Sequence, residues 1–202
     1  MIGMYPTVKE ALHELEIGFE INPTRWVDHA RYTGEAARNI AEAAHLDGEK
    51  AYVLGLLHDI GRRVGFTGIR HIVDGYNYAI KKGWDDVARI SMTHSFAENI
   101  PTINPSMMDL TEEEYEFTKN YLASIEYDDY DILMHLCDNI ALHSGYVLME
   151  KRMIDISMRH GVHEGTVKRW EKLFEIKNYF EKKMGRSIYS VLPGVIENTF
   201  DL

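Results

Sequence analysis

The stretch that decides the fold is Ala51-Tyr52-Val53-Leu54-Gly55-Leu56-Leu57-His58-Asp59-Ile60-Gly61-Arg62. It has the spacing of a helix that is apolar on every side until it reaches His58 and Asp59. A helix of that kind is buried among other helices. A carboxylate at its buried end costs several kcal/mol unless a cation or strong donors meet it. Two explanations for Asp59 are open at this point. One is a bound metal ion, and the other is an ion pair with a nearby arginine, namely Arg31, Arg38, Arg62 or Arg63.

Helical spacing continues on both sides of this stretch. Asn22-Pro23-Thr24 offers capping side chains and a proline suited to a first turn, which predicts a helix over residues 23–45, and Asp47 can cap the next one. Further helices are predicted over residues 70–81, 85–93, 111–123 and 129–145. Strand signals are scarce, so the sequence predicts an all-α helical bundle.

Composition limits the possible partners. The 202 residues are 45% hydrophobic and 27% charged, as in one globular domain. A net charge of -10 disfavours binding to nucleic acid and to anionic membranes. An anionic substrate therefore has to be bound by groups close to it in the site. Cys137 is the only cysteine, no apolar run reaches the roughly 18 residues of a membrane span, and residues 1–10 lack the pattern of an export signal. We expect a cytoplasmic protein without a membrane partner, and its oligomeric state stays open.

The C-terminal part of the chain differs in charge. Residues 151–186 contain ten Lys or Arg against five Asp or Glu, and residues 156–170 have the glycine and helix spacing of a helix-turn-helix. Because the protein as a whole is acidic, we expect a packed helical hairpin with a solvated basic face rather than a nucleic acid-binding module.

Two more residues complete a possible set of metal ligands with His58 and Asp59. His29 lies on the preceding predicted helix and Asp138 on a later one, which makes two imidazoles and two carboxylates on three helices. Such mixed donors suit Fe, Mn, Co or Zn, with Mg possible, and they can converge only inside a bundle.

The order of these residues resembles the HD domain superfamily of metal-dependent phosphohydrolases, with a His, a His-Asp pair and a distant Asp. The resemblance covers about residues 22–145 and is carried by Trp26-Val27-Asp28-His29, by the stretch quoted first, and by Leu136-Cys137-Asp138-Asn139. It implies an HD-type helical domain over residues 1–149, with a C-terminal helical extension over residues 150–202 packed on it.

Two further histidines, His71 and His94, resemble the extra ligands of the two-metal branch, which includes diadenosine tetraphosphate hydrolases. The branch implies two divalent ions and six ligands: His29, His58, Asp59, His71, His94 and Asp138. In that arrangement His29, His58 and Asp138 hold the first ion and His71 and His94 hold the second. Asp59 bridges the two ions and so takes part in catalysis. The alternative is that His71, His94 or both are surface or capping residues. The cyclic-di-GMP branch is less similar, because no proline follows Tyr76 and His94 is not one of an adjacent His pair.

The implied activity is hydrolysis of a small phosphorylated substrate, a nucleotide above all, by water activated between the ions. Arg62 and Arg63 are the candidate catalytic cations that offset phosphoryl charge, and Arg70 is a weaker candidate. Glu35 and Asp28 are the candidate general acids. Two alternatives stay open, a di-iron oxygenase on a related helical fold and a non-catalytic regulatory or ligand-binding module.

Overall fold

The computed structural model describes residues 5–202, and in that range it is almost entirely helical. Residues 1–4, which belong to the predicted domain 1–149 and to the segment 1–10 considered for export, lie outside the described residues. Ten α-helices follow one another: α1 (Val8–Ile21), α2 (Trp26–Ala43), α3 (Gly48–Leu57), α4 (His71–Lys82), α5 (Asp85–Thr93), α6 (Glu112–Ser124), α7 (Asp129–Asp138), α8 (Met149–His160), α9 (Thr166–Met184) and α10 (Val195–Phe200). Short 3-10 helices span Ile60–Val64, Pro105–Met107 and Ile188–Val191. The all-α bundle predicted from the sequence is confirmed.

The helix starts follow from capping side chains. Asp47 accepts a hydrogen bond from the Lys50 amide at 3.0 Å and begins α3, as predicted. Thr111 and Glu114 form a capping box at the start of α6, and α5 has the predicted bounds. The prediction omitted α1, which begins with a capping box between Thr7 and Glu10.

The predicted helix over residues 129–145 is wrong in its second half. α7 ends at Asp138, and the chain then forms an antiparallel hairpin of β1 (Ala141–Leu142) and β2 (Gly145–Tyr146), in which Ala141 pairs with Tyr146. Gly145 has φ 141°, a conformation that glycine alone adopts at low cost and that no α-helix contains. Asp138 is therefore the last residue of its helix.

Glycines allow two close helix crossings that position the site. A Cβ on Gly55 of α3 would lie 2.6 Å from the Cα of Gly34 in α2, so the two backbones touch at this point. A Cβ on Gly61 would lie 2.0 Å from the carbonyl oxygen of His71, which brings the 3-10 helix after Asp59 against α4. These contacts hold α2, α3 and α4 together at the ends that carry the histidines.

The C-terminal helices share the main core. Leu173, Ile176 and Phe180 of α9 are buried in the same apolar cluster as residues of α2 and α3. Gly161, at φ 80°, ends α8, and a turn of five residues leads into α9. Within the described chain, none of the helices has the length and apolar character needed to cross a bilayer.

Candidate metal centre

The structure brings the six predicted ligands to one place. His29 lies in the first turn of α2, and the other five lie at or beside helix ends: His58 and Asp59 after α3, His71 at the start of α4, Asp138 at the end of α7 and His94 just after α5. His58, Asp59, His71 and His94 are buried, whereas His29 and Asp138 are partly open to solvent.

The backbone fixes the protonation pattern of three of the histidines. The Nδ1 atoms of His58, His71 and His94 each lie at hydrogen-bond distance from a backbone carbonyl oxygen, those of Gly55, Gly68 and Ile90 at 2.7, 2.6 and 3.0 Å. A carbonyl can only accept, so each Nδ1 carries the hydrogen and each neutral ring keeps a lone pair on Nε2. Burial lowers the pKa of His58 to about 4 and that of His71 to about 3, so these two rings are neutral at pH 7.

The lone pairs point at the same carboxylate. His71 Nε2 and His94 Nε2 lie 3.3 and 3.6 Å from Asp59 Oδ1, and His58 Nε2 lies 3.6 Å from Asp59 Oδ2. His71 Nε2 and His94 Nε2 are 3.2 Å apart, a distance at which two lone pairs need a cation or proton between them. His58 Nε2 and Asp59 Oδ1 are buried without a hydrogen-bond partner among the described residues. Converging donors without hydrogens are what a cation site requires.

Two groups of donors have metal-binding spacing. In each group one ligand atom per residue lies within 4.8 Å of the others, and the groups are His29, His58, Asp138 and His58, Asp59, His94. An ion with bonds of about 2.1 Å holds its ligand atoms about 3–4 Å apart, so small side-chain shifts suffice for coordination. His58 belongs to both groups, whereas the sequence analysis expected it to hold the first ion only. The donor set therefore fits divalent ions.

Arg62 takes the position of a counter-charge beside Asp59. Its Nε donates to Asp59 Oδ2 at 2.7 Å, and its Nη2 lies 3.4 Å from His71 Nε2. Burial alone would raise the pKa of Asp59, but Arg62 and the neighbouring histidines outweigh burial and hold that pKa well below its usual value. The ion pair considered for Asp59 is therefore present, and it involves Arg62. Arg62 neutralises one oxygen, and the other oxygen still faces the imidazole lone pairs.

The remaining predicted residues lie outside the cluster. Arg63 donates to Glu14 Oε2 at 3.1 Å and stacks over Tyr78, and within residues 5–202 no hydrogen bond or ion pair links it to the six ligands. Arg70 pairs with Asp74 and Glu114. Arg63 and Arg70 therefore pair with carboxylates outside the set of six predicted ligands.

Neither candidate general acid is held in the cluster. Glu35 is exposed and accepts a hydrogen bond from the Tyr146 hydroxyl at 3.2 Å. Asp28 is exposed on the first turn of α2.

Other residues beside the ligands were missed or only partly predicted. Ser95 Oγ lies 3.1 Å from His94 Nε2, close enough to donate to its lone pair. His135, considered as a supporting residue from its position before Asp138, hydrogen-bonds through Nδ1 to the carbonyl oxygen of His94 at 2.7 Å. Arg169 of α9 reaches Asn139, the neighbour of Asp138, with an Nη2–Oδ1 distance of 3.4 Å. Nothing in the sequence near the motif signals Arg169.

A helical bundle in which His and Asp side chains from several helices meet in the interior is an arrangement in which proteins hold metal ions. The sequence profile of the HD domain family matches residues 26–142, more than half of the chain, and the protein belongs to that family. The matched range contains all six ligands. Comparisons with curated proteins and with solved structures found no match. HD domains generally bind divalent metal ions and are mostly metal-dependent hydrolases, which agrees with the donor set described above.

Proposed function

We propose that this protein is a metal-dependent phosphohydrolase that cleaves a phosphate ester or anhydride bond in a small substrate, first of all a nucleotide. The observation that carries the proposal is the convergence of three imidazole Nε2 atoms on the Asp59 carboxylate, with each Nδ1 held by a backbone carbonyl. The Nε2 atoms of His71 and His94 lie 3.2 Å apart, and at this distance a cation or a proton between them relieves the repulsion of their lone pairs.

We assign two ions to the six ligands. His29 and Asp138 support the first, His71 and His94 the second, and His58 and Asp59 lie between them. Four imidazoles and two carboxylates favour Fe, Mn, Co or Zn over Mg, which prefers oxygen ligands. When bound, such ions acidify water and stabilise negative charge on phosphoryl oxygens.

Arg62 is the protein group best placed to act on the substrate. Its Nε donates to Asp59 Oδ2, and its side chain is 27% exposed, so solvent reaches part of this residue beside the cluster. The remaining N–H groups can donate to a phosphoryl oxygen and offset the charge that develops there. The ion pair with Asp59 holds the guanidinium in place before substrate binds.

The test combines metal analysis with turnover. The purified protein is analysed for bound metals, and phosphate release is screened over nucleotides under anaerobic conditions. Asp59→Asn keeps the shape of the side chain and should abolish both the second ion and turnover. Glu20→Gln, an exposed site on α1 without side-chain contacts, is the control and should leave both unchanged.

Three results would contradict the proposal. Oxygen consumption by an iron-loaded protein that releases no phosphate would indicate the oxygenase alternative. A folded protein that binds no metal would indicate a non-catalytic module. Full turnover in Asp59→Asn would exclude the assigned site.

A further inference from the structure

The C-terminal extension forms one wall of a pocket beside the metal centre. Residues 95–102 form the opposite wall, and the pocket, which is partly open to solvent, has a cavity volume of about 50 Å³. The walls meet closely, because a Cβ on Gly165 would lie 2.4 Å from Thr102 Cγ2. A volume of this size suits part of a small molecule rather than a macromolecule.

Two contacts link the pocket to the centre. Ser95 lines the pocket, and its hydroxyl lies 3.1 Å from His94 Nε2. Arg169 also lines the pocket, and its Nη2 approaches the side chain of Asn139, which follows Asp138 in the chain. One end of the pocket is therefore in contact with the neighbours of the metal ligands.

The lining contains three cationic side chains, and one of them forms no ion pair among residues 5–202. Lys168 and Lys172 form ion pairs at the outer side, with Glu98 and Glu175 respectively. Arg169 has no carboxylate within 4.0 Å among residues 5–202, and its Nε is buried without an acceptor. A buried guanidinium without an anion is costly, so an anionic ligand at this point would restore the missing hydrogen bond and charge.

We propose that this pocket is an anion subsite that binds a second phosphate group of the substrate, the one that is not attacked, with Arg169 as its principal ligand. The proposal rests on the proposed function, because it takes the reacting phosphate to lie at the metal centre. An arginine fork with two lysines nearby matches a doubly charged phosphate better than a single carboxylate. The substrate class is then a nucleoside diphosphate, triphosphate or other compound with linked phosphates, rather than a monophosphate.

Binding of inorganic pyrophosphate tests the subsite without relying on turnover. Calorimetry is run on the full chain, as purified and after EDTA treatment, with pyrophosphate and with phosphate. Wild type should prefer pyrophosphate. Arg169→Met should weaken pyrophosphate binding roughly 10- to 100-fold in both forms, the loss expected for a charge-assisted hydrogen bond. Arg186→Met, at an exposed position without side-chain contacts, is the matched control and should bind as wild type does.

A spectroscopic readout covers the case in which Arg169→Met does not fold. In wild type without metal, the Nε–H resonance of Arg169 should shift on addition of pyrophosphate, and that of Arg186 should not. The exposed variant Lys172→Met should weaken binding about threefold, as loss of a surface charge would. Two results would contradict the proposed subsite. One is an unchanged affinity for pyrophosphate in a folded Arg169→Met, and the other is an unshifted Arg169 resonance at saturating pyrophosphate.

The two proposals fail separately. If nucleotides are hydrolysed but pyrophosphate does not contact Arg169, the phosphohydrolase proposal is supported and the anion subsite is rejected. If pyrophosphate binds through Arg169 but no nucleotide is hydrolysed, the anion subsite is supported and the phosphohydrolase proposal is rejected.

Discussion

Substitution of Gly55 by alanine should weaken metal binding, although Gly55 is not one of the predicted ligands. The added Cβ would lie 2.6 Å from Gly34 Cα, whereas carbon atoms pack best at about 3.5–4.0 Å, so α2 and α3 must separate by about 1 Å. Overpacking of this kind costs about 1–3 kcal/mol, and the backbone contact places Gly55 near the upper end. Alanine regains up to about 1 kcal/mol of helix propensity. We expect a net loss of about 2 kcal/mol, which lowers Tm by about 4–8 °C.

The same displacement separates His29 on α2 from His58 at the end of α3, and metal sites tolerate errors of only about 0.2 Å in ligand distance. The variant should therefore lose affinity for the ion that His29 holds. Thermal unfolding and metal analysis measure the two effects.

Gly48→Ala, on the same helix, is the control. Its Cβ would meet only the flexible side chain of Glu42, so Tm should stay unchanged or rise. If Gly55→Ala proves as stable as Gly48→Ala and retains full metal content, the close crossing does not position the site.

Three further predictions concern two buried side chains and the effect of metal on stability. Burial lowers the pKa of His135 to about 3, below the unfolded value, so the unfolded chain binds the extra proton and stability falls as pH drops from about 6.5 towards 3. Urea unfolding in EDTA should show a stability slope smaller by up to about 1.4 kcal/mol per pH unit in His135→Gln, and parallel slopes would contradict this. Glu14→Ala removes the buried partner of Arg63 and Lys82 and should cost about 3 kcal/mol with unchanged metal content, measured by urea unfolding and metal analysis. Free metal at 100 times the Kd of the second ion should stabilise the protein by about 2.7 kcal/mol through that ion and raise Tm by about 5–11 °C, and scanning calorimetry of Asp59→Asn, which keeps only the first ion, should lack this part of the rise.

The sequence predicted the ligands because their identities and order form the motif. Two structural features were missed for different reasons. The signal for α1 was present as Thr7 and Glu10, a capping-box pair at the start of the helix. The hairpin after Asp138 could not be predicted from spacing, because Ile140 and Ala141 continue the helical pattern and only the backbone of Gly145 reveals the turn.

The two adjacent arginines show why side-chain roles were harder to predict. Residues Ile60–Val64 form a 3-10 helix, in which positions three apart are aligned and neighbours point about 120° apart. Arg62 is three residues from Asp59 and therefore meets it, while Arg63 turns towards Glu14. Arg169 was unpredictable because only tertiary packing of α9 brings it near Asn139.

The charges at the site are compatible with the proposed anionic substrate, although the protein as a whole is acidic. Without metal, the carboxylates of Asp59 and Asp138 and the guanidiniums of Arg62 and Arg169 sum to no formal net charge, and Arg169 forms no ion pair among residues 5–202. Each divalent ion then adds two positive charges that no described side chain at the site neutralises. The repulsion from the net charge of -10 is screened over about 8–10 Å, whereas contacts at the centre act over hydrogen-bond distances. Metal loading should therefore increase anion affinity strongly, and a substrate with linked phosphates offsets the added charge better than a monophosphate does.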